Sequence, residues 1–412
     1  MTRAILTLNA GSSSLKFAVF ACDDRLAAEA DLLSLPVLAR GAVSGLGERP
    51  SLTARDGEGR VLIDNSFATG GADGPGPLRH EAFLDAILGF CQAHLAGARL
   101  DAVGHRIVHG ADAFRAPTLL TPDCLRRLEA LVRLAPLHQP HNLAAVRAAM
   151  AALPGARQVG CFDTAFHQTL SPLARRFGLP RRFEADGVRR YGFHGLSYSW
   201  LTQRLAELDP ELAKRRVIYC HLGSGASLCA THGGVSQDTT MGFTALDGLV
   251  MSTRCGALDP GVILYLIDQY GMDLAELTTL LYQGSGLLGL SGLSGDMRTL
   301  LANASPAAEA AVELFSYRIA REMGALIMSL GGIDGVVFSA GIGENSPEVR
   351  ARIAARCGAI GLKLDDHSPG GDRLISAPGS QVKAWVIATD EERVIAAGAA
   401  AVTASKGADA AV

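Results

Sequence analysis

No apolar run in this 412-residue chain is long enough to span a bilayer, which excludes an ordinary helical membrane protein. No two of its eight cysteines (Cys22, Cys91, Cys124, Cys161, Cys220, Cys229, Cys255, Cys357) form a C-x-x-C pair, so neither a zinc site nor a disulfide framework organises the fold. Cys161 and Cys220 fall inside apolar strand patterns and read as small core residues. An excess of positive charge is missing too. Lys and Arg number 38 against 41 Asp and Glu, a net charge of −3, so no global basic field draws the chain to nucleic acid or an anionic membrane. The opening MTRAILTLNAGSSS lacks the long apolar core of a secretory signal, and the expectation is a cytoplasmic protein. The glycine-rich turns lack the spacing G-x-x-x-x-G-K-S/T, which excludes a P-loop.

What is present fits a two-domain globular protein. The length exceeds one typical core, and 48% hydrophobic with 19% charged residues argues against disorder. Residues 5–16 (ILTLNAGSSSLK) and 217–228 (VIYCHLGSGASL) share a pattern: apolar strand, polar residue, Gly at the same offset, small residues, second apolar segment. Each reads as strand, turn, strand, and their separation by half the chain suggests a duplicated domain. Apolar spacing predicts helices over 81–98, 122–135, 143–152, 197–208, 307–330 and 392–404. Strands are predicted over 101–109, 158–162, 334–339 and 384–388. Residues 45–76 read as hairpins and loops, and the tail after 404 as frayed. Alternating strands and helices give an α/β fold.

Polar clusters fall where strands end, the usual ligand edge of α/β folds. Asn9 to Lys16 is either a phosphate-binding turn or a surface hairpin. In an extended strand Arg106 and Val108 share a face, a socket for a small carboxylate with a guanidinium and an apolar wall. A solvated edge strand is the alternative. Asp163 follows a buried strand with His167 four residues on, a spacing for metal or for a helix N-cap. His194, between Phe193 and Gly195, is either a donor to developing phosphoryl charge or a satisfied core histidine. Arg254 sits in a Gly/Ser/Thr loop and could neutralise phosphoryl charge. The segment 341–345 follows a strand and reads as a strand–glycine–helix turn suited to a nucleotide.

Eleven stretches in order, LNAGSSSLKF, GHRIVHG, APLHQPHN, CFDTAFHQT, YGFHGLSY, HLGSGAS, DTTMGFT, TRCGALDPG, SGLSGDMR, SAGIGENSPEVR and TDEE, resemble the acetate kinase family, part of the group with an actin-like, Hsp70-like and sugar-kinase-like fold. The resemblance implies two duplicated actin-like ATPase domains with ribonuclease H-like cores around a central cleft, residues 1–163 plus 392–412 and residues 164–391. It implies reversible in-line transfer of the ATP γ-phosphoryl group to acetate, giving acetyl phosphate and ADP, with closure excluding water. Mg2+, or Mn2+ in its place, would be positioned by Asn9 and Glu391. Asp163, His194 and Arg254 would be catalytic. Arg106, Val108, Leu137, His138, Phe193 and Ala245 would hold the substrate. Lys16, His221, Leu222, Gly223, Ser224, Gly225, Asp296, Met297, Arg298, Gly341, Ile342, Gly343, Glu344 and Asn345 would bind ATP. A homodimer is implied, with no nucleic-acid or membrane partner.

Three departures stand out. HLGSG replaces HLGNG, putting Ser224 where an amide would contact phosphate. GFTA replaces GFTP, putting Ala245 in a pocket wall and opening the choice between acetate and propionate. Ser252 and Cys255 flank Arg254 where Gly and Ser are usual. A sugar kinase of the same fold would use Asp163 as a base, but a neutral sugar needs no paired Arg106 and Arg254. A non-catalytic ATP-binding module is the third reading, and a carboxylate-phosphorylation assay separates all three.

Overall fold

The computed structural model describes residues 2–10, 14–22, 35–44, 51–66, 80–95 and 97–405, and divides into two units, Met1–Ala165 with Asp390–Val412, and Phe166–Thr389. Gly11 and its neighbours in the first hairpin turn, the parts of 45–76 outside 51–66, and the tail after 405 lie outside the described residues.

The first unit holds, among the described residues, an eight-stranded sheet in the order β5-β4-β3-β2-β1-β6-β8-β7. The strands are β1 (Thr2–Ala10), β2 (Ser14–Ala21), β3 (Val37–Ser44), β4 (Ser51–Asp56), β5 (Val61–Ser66), β6 (Ala98–Ile107), β7 (Thr118–Leu119) and β8 (Arg157–Phe162). β1 to β5 form an antiparallel meander, while β6 and β8 add in parallel. Side chains alternate across the sheet. Leu6, Leu8, Phe17 and Val103 pack in one cluster with Phe83 and Ile87 of the helix His80–His94 and Ala145 and Ala149 of the helix Gln139–Ala152. Each large apolar side chain buried this way contributes about 2 kcal/mol. The helix Glu391–Ser405 packs on β1, β6 and β8. It comes close because Gly104 has no side chain: a Cβ there would lie 2.6 Å from Ile395 Cγ2.

The second unit holds, among the described residues, a six-stranded sheet, β11-β10-β9-β12-β14-β13. Its strands are β9 (Arg216–Leu222), β10 (Ala226–His232), β11 (Val235–Thr239), β12 (Gly335–Ser339), β13 (Arg373–Leu374) and β14 (Lys383–Val386). β9 and β12 are buried along nearly their whole length, as parallel strands covered on both faces must be. The helix Pro306–Leu330 runs 25 residues because both ends are built for it. Ser305 caps the start through the Ala308 N–H, Pro306 fits the first turn, and Gly331 closes it at φ +68°. Val312, Phe315, Ile319, Met323 and Ile327 form its buried stripe, as their spacing predicts.

The two sheets repeat one order. β3-β2-β1-β6-β8 and β11-β10-β9-β12-β14 are each three antiparallel strands followed by two parallel ones. The duplicated α/β architecture expected from the paired hairpins is therefore present in the strand order.

Several boundaries shift. The helix expected over 81–98 ends at His94, and Gly97 at φ +95° turns the chain into β6. The helix expected over 122–135 ends at Glu129, and a short 3-10 turn, Val132–Leu134, follows. β6 ends at Ile107, so strand alternation does not reach Val108, and the shared face argued for it with Arg106 has no strand beneath it.

Candidate functional site

Three neighbouring strands of the first unit deliver its polar cluster. β1 pairs in parallel with β6, and β6 with β8, so Asn9, Arg106 and Asp163 arrive together at the strands' C-terminal ends. Arg106 Nε donates to both Asp163 oxygens at 3.2 and 3.1 Å, and its Nη2 donates to Oδ2 at 2.8 Å. Nη1 donates to Asn9 Oδ1 at 3.1 Å and lies 3.5 Å from Glu391. Asn9 Nδ2 donates to Glu391 at 2.9 Å and to Glu392 at 3.3 Å. Glu392 belongs to the TDEE stretch but carries no role of its own in the sequence reading.

Asp163 is 1% exposed. Burial pushes its carboxyl above the ordinary range, Arg106 pulls it back, and Glu391 adds to the push. Burial also raises Glu392, with Glu391 adding to the rise and Lys16 opposing it. Arg106 itself is held protonated: Asp163 and Glu391 outweigh its desolvation. Negative charge thus exceeds positive charge locally. Asp163 spends its carboxylate on Arg106, so the N-cap alternative left open beside metal binding is not observed.

Val108 is buried, and Leu137 and His138 are half-buried. Two amides of the APLHQPHN stretch, to which the sequence reading gives no role, bring them together. Asn142 Oδ1 accepts from the Val108 N–H at 3.0 Å, and its Nδ2 donates to the Ala10 carbonyl at 2.8 Å. Gln139 exchanges bonds of 3.1 and 3.0 Å with the His109 backbone. Both amides sit at the start of the helix that follows Leu137 and His138. A buried Gln and Asn at the start of an otherwise apolar helix was the available signal. Lys16 lines a cavity of about 380 Å³ with Arg40, Arg55 and Glu392 in the first unit.

In the second unit His194 caps the helix Gly195–Leu208 in the left-handed region, φ +57°. Such a conformation is costly for a residue with a side chain and needs support. His167 supplies part of it. Its Nε2 donates to the Phe193 carbonyl at 2.9 Å, and its Nδ1 lies 2.9 Å from the Ser236 hydroxyl. Both ring nitrogens are therefore engaged within the protein, and the metal reading of His167 is set aside. Phe193 is buried.

The His194 ring stacks on His221, centroids 4.1 Å apart and planes 18° from parallel. Arg254 donates from Nη1 to the Ala245 carbonyl at 2.6 Å. The backbone at 245, rather than its side chain, therefore holds the guanidinium. A Cβ built on Gly225 would lie 2.6 Å from Arg254 Nη2 and 3.2 Å from His194 Nε2, so both groups crowd the same side of the HLGSG turn.

A cavity of about 730 Å³ in this unit is lined by Gly223, Ser224, Asp296, Met297, Arg298, Gly341, Ile342 and Asn345 among others. Leu222 lies fully buried at the end of β9. Two of the sequence departures meet here: Ser224 and Ser252 both line the cavity, and the Ser252 N–H donates to the Ser224 carbonyl at 3.1 Å. Asp296 caps the helix Met297–Leu301 and pairs with the exposed Arg298 at 2.8 Å.

Residues 341–345, read from the sequence as a strand–glycine–helix turn, are themselves helical. They form a short helix, Ala340–Asn345, entered through Ala340 at φ +64°. Glu344 turns away from the cavity lining to accept the N–H groups of Ala340 and Thr389 at 2.9 and 3.0 Å. The Gly343 carbonyl accepts from buried Arg350 at 2.6 Å, and Arg350 pairs with Asp366 at 2.5 Å. Arg350 is a support that the sequence did not reveal.

Three imidazoles give the protein an acid limit. Burial pulls His105, His109 and His167 down to about 4, with hydrogen bonds from His105 to Gln158 and from His167 to Phe193 opposing it. The unfolded chain binds these protons near 6.5, so stability is complete above that pH and falls as pH drops toward 4. Each group is worth about 3 kcal/mol at the low end. Asp163, raised in the fold, offsets part of that loss. Urea midpoints measured from pH 7.5 to 4.5 should fall steeply below about pH 6; a flat series would remove the three histidines from the account.

Comparisons with known proteins bear on the family and the fold. A family model described as the Acetokinase family matches residues 4–397. An acetate kinase of Rhodopseudomonas palustris is 45% identical over 400 residues, covering 96% of this chain and 97% of that one. The crystal structure of an acetate kinase from Porphyromonas gingivalis superposes with a TM-score of 0.82 at 34% identity, covering 97% and 100% of the two chains. That of a propionate kinase from Francisella tularensis gives 0.84 at 32% identity, covering 97% and 99%. With a family match across both units and relatives matched along nearly their full length, the chain belongs to the acetokinase family.

Proposed function

We propose that this protein reversibly transfers the γ-phosphoryl group of ATP to acetate. The observation that carries this reading is the reach of the family match, residues 4–397, which takes in both the Arg106 cluster and the nucleotide-sized cavity. An acetate oxygen attacks the γ-phosphorus, the bond to the β-phosphate oxygen breaks, and ADP leaves. A carboxylate is already ionised at pH 7, so no general base is required. Positioning and charge neutralisation then make up most of the task.

Arg106 would hold the carboxylate or the transferring group, and Asp163 would act through Arg106 by fixing its fork. Arg254 and His194 would meet phosphoryl charge from the second unit. Val108, Leu137 and His138 of the first unit would offer apolar and half-buried surface to a methyl group, and Phe193 is assigned the same role from the family resemblance. Gly223, Ser224, Asp296, Met297, Arg298, Gly341, Ile342 and Asn345 would line the nucleotide, with Lys16, His221 and Gly225 serving its phosphates. Leu222, Gly343 and Glu344 would act behind that lining as its frame.

The first-unit cluster suits Mg2+. Asn9 and Glu391 offer hard oxygen donors, and the carboxylate excess around them favours a divalent cation. Among the described residues no three His, Cys, Asp or Glu side chains converge as a ready-made cage. Mg2+ commonly takes one or two protein groups and leaves the rest of its sphere to water and phosphate. When bound it would neutralise phosphate charge.

Purified protein with ATP, Mg2+ and acetate should form acetyl phosphate, trapped as the hydroxamate. Acetate should give a higher kcat/KM than propionate. Activity on neither acid would sink the reading; a propionate preference would reassign the substrate while leaving the carboxylate kinase intact.

A second copy of the chain would cover the helix Pro260–Tyr270. It is rich in apolar residues, yet none of its residues is buried, and Val262, Leu264, Tyr265, Ile267 and Tyr270 are exposed. Such a contiguous apolar surface marks an interface. Light scattering should read about 86 kDa, twice 43.0 kDa. A mass of one chain at micromolar concentration would refute the dimer.

A further inference from the structure

His194 and His221 are each tethered at Nδ1 by a buried serine. Ser227 Oγ lies 2.8 Å from His194 Nδ1, and Ser197 Oγ lies 2.8 Å from His221 Nδ1. Behind each serine stands a second hydroxyl. Tyr198 OH is 2.5 Å from Ser227 Oγ, and Thr389 Oγ1 is 3.2 Å from Ser197 Oγ. Tyr198, Ser227 and Ser197 are fully buried. Local structure explains the placement. Ser227 faces His221 across the β9–β10 pair, and Ser197 and Tyr198 are consecutive on the helix that His194 caps.

We propose that Tyr198 and Ser227 are positioning residues that fix His194 as the neutral tautomer with its proton on Nε2, so that it donates a hydrogen bond to the transferring phosphoryl group. Ser197 and Thr389 stand in the same relation to His221. The proposal rests on the kinase reading for its phosphoryl group, but its geometry does not.

The direction of the chain follows from proton counting. Ser227 has one proton and two partners. A Ser227 oxygen that accepted from both would leave its own buried proton without an acceptor among the described residues, so either Tyr198 donates to Ser227 and Ser227 donates to His194 Nδ1, or both bonds run the other way. In the reverse direction the phenol proton would need another acceptor. Among the described residues, the other groups near that hydroxyl are the backbone N–H of His221, itself a donor, and the thiols of Cys220 and Cys229, weak acceptors at best. A buried O–H left without an acceptor is costly. A phenol is also the stronger acid and the better donor. Burial holds Tyr198 well above its ordinary range, so the proton stays on it. Nδ1 therefore accepts, and the ring proton resides on Nε2.

The Nε2 atoms face the glycine turn. A Cβ at Gly225 would sit 3.2 Å from His194 Nε2, and one at Gly223 would sit 3.8 Å from His221 Nε2. An imidazolium would need a donor at Nδ1 as well, which the chain opposes. Neutral rings also stack without the repulsion of two cations. Among the described residues, the charged and titratable groups near the pair include Arg254, Tyr198, His167, whose ring centroid lies 5.7 Å from that of Tyr198, and, behind Tyr198, the thiols of Cys220 and Cys229.

The test uses the full-length protein with 15N-labelled histidine. Two-bond 1H–15N correlations report which ring nitrogen carries the proton. Wild type should show His194 protonated on Nε2 at pH 7. Ser227→Ala should give mixed tautomers, a kcat about tenfold to a hundredfold lower and a KM for ATP within about twofold. The acid limb of kcat should move to higher pH. Ser227→Thr, which keeps the hydroxyl, should restore most of the rate. Should Ser227→Ala not fold, Tyr198→Phe carries the same tautomer readout. A wild-type His194 charged at pH 7 or protonated on Nδ1 overturns the proposal. So does a folded Ser227→Ala or Tyr198→Phe variant with unchanged tautomer and kcat. The tautomer is read without turnover, so its failure is distinct from a wild-type protein that makes no acetyl phosphate.

Discussion

Arg106→Ala should lower kcat/KM for acetate by about a thousandfold or more, the scale seen when a guanidinium is removed from a phosphoryl-transfer site. The geometry makes this residue hard to replace. Its fork makes three contacts with Asp163, one with Asn9 and an ion pair with Glu391. Removing it leaves Asp163 buried beside two other carboxylates. An unpaired buried charge costs about 3–5 kcal/mol, and protonation of Asp163 relieves some of that. Because burial already favours the protonated acid, the variant should fold while losing stability, more at pH 8 than at pH 6. Arg106→Lys separates charge from shape. It keeps the cation but loses the planar fork, and should recover stability more than rate. Hydroxamate kinetics beside urea midpoints decide the matter. A folded Arg106→Ala protein with near-normal turnover would falsify the role.

The sequence showed where chemistry would gather better than it showed what holds that chemistry in place. Asn9, Arg106 and Asp163 stand out because each interrupts or ends an apolar run, and parallel pairing then brings such ends together. The duplication was visible for a similar reason, since two hairpins with the same glycine offset became β1–β2 and β9–β10. The supports were not visible. Asn142 reaches Ala10 across 132 residues, and Tyr198 reaches Ser227 across 29. No local pattern encodes a partner that far away. Ser227 looks like any small strand residue until β9 is laid beside β10. Arg350 reads as one more helix-surface arginine until Asp366 folds back onto it. The short helix Ala340–Asn345 was read only as a turn leading into a helix because it holds two glycines in five residues, whereas Glu344 and Arg350 tie those residues into a turn of helix.

Gly225→Ala should abolish most activity while leaving the fold almost untouched. Gly225 does not have a positive φ, so alanine suits its backbone. A Cβ there would sit 2.6 Å from Arg254 Nη2 and 3.2 Å from His194 Nε2. Neither distance is tolerable without movement, and what must move is the far end of a flexible arginine. The fold can yield at that point, so the expected change in Tm is about 2 °C or less. Catalysis cannot yield as easily. Arg254 is anchored through Nη1 on the Ala245 carbonyl, and swinging Nη2 aside breaks that bond or misdirects the charge. A misplacement of about 1 Å at a reacting centre can cost about a hundredfold, so kcat should fall by at least that much. Gly223→Ala is the comparison: a Cβ there would meet the Gly225 carbonyl at 3.3 Å and no catalytic group closer than 3.8 Å, so its kcat should fall less. Kinetics of both variants, with thermal melts, test the ordering. Equal losses, or a fully active Gly225→Ala protein, would mean that the space between Arg254 and His194 is not where phosphoryl charge is met.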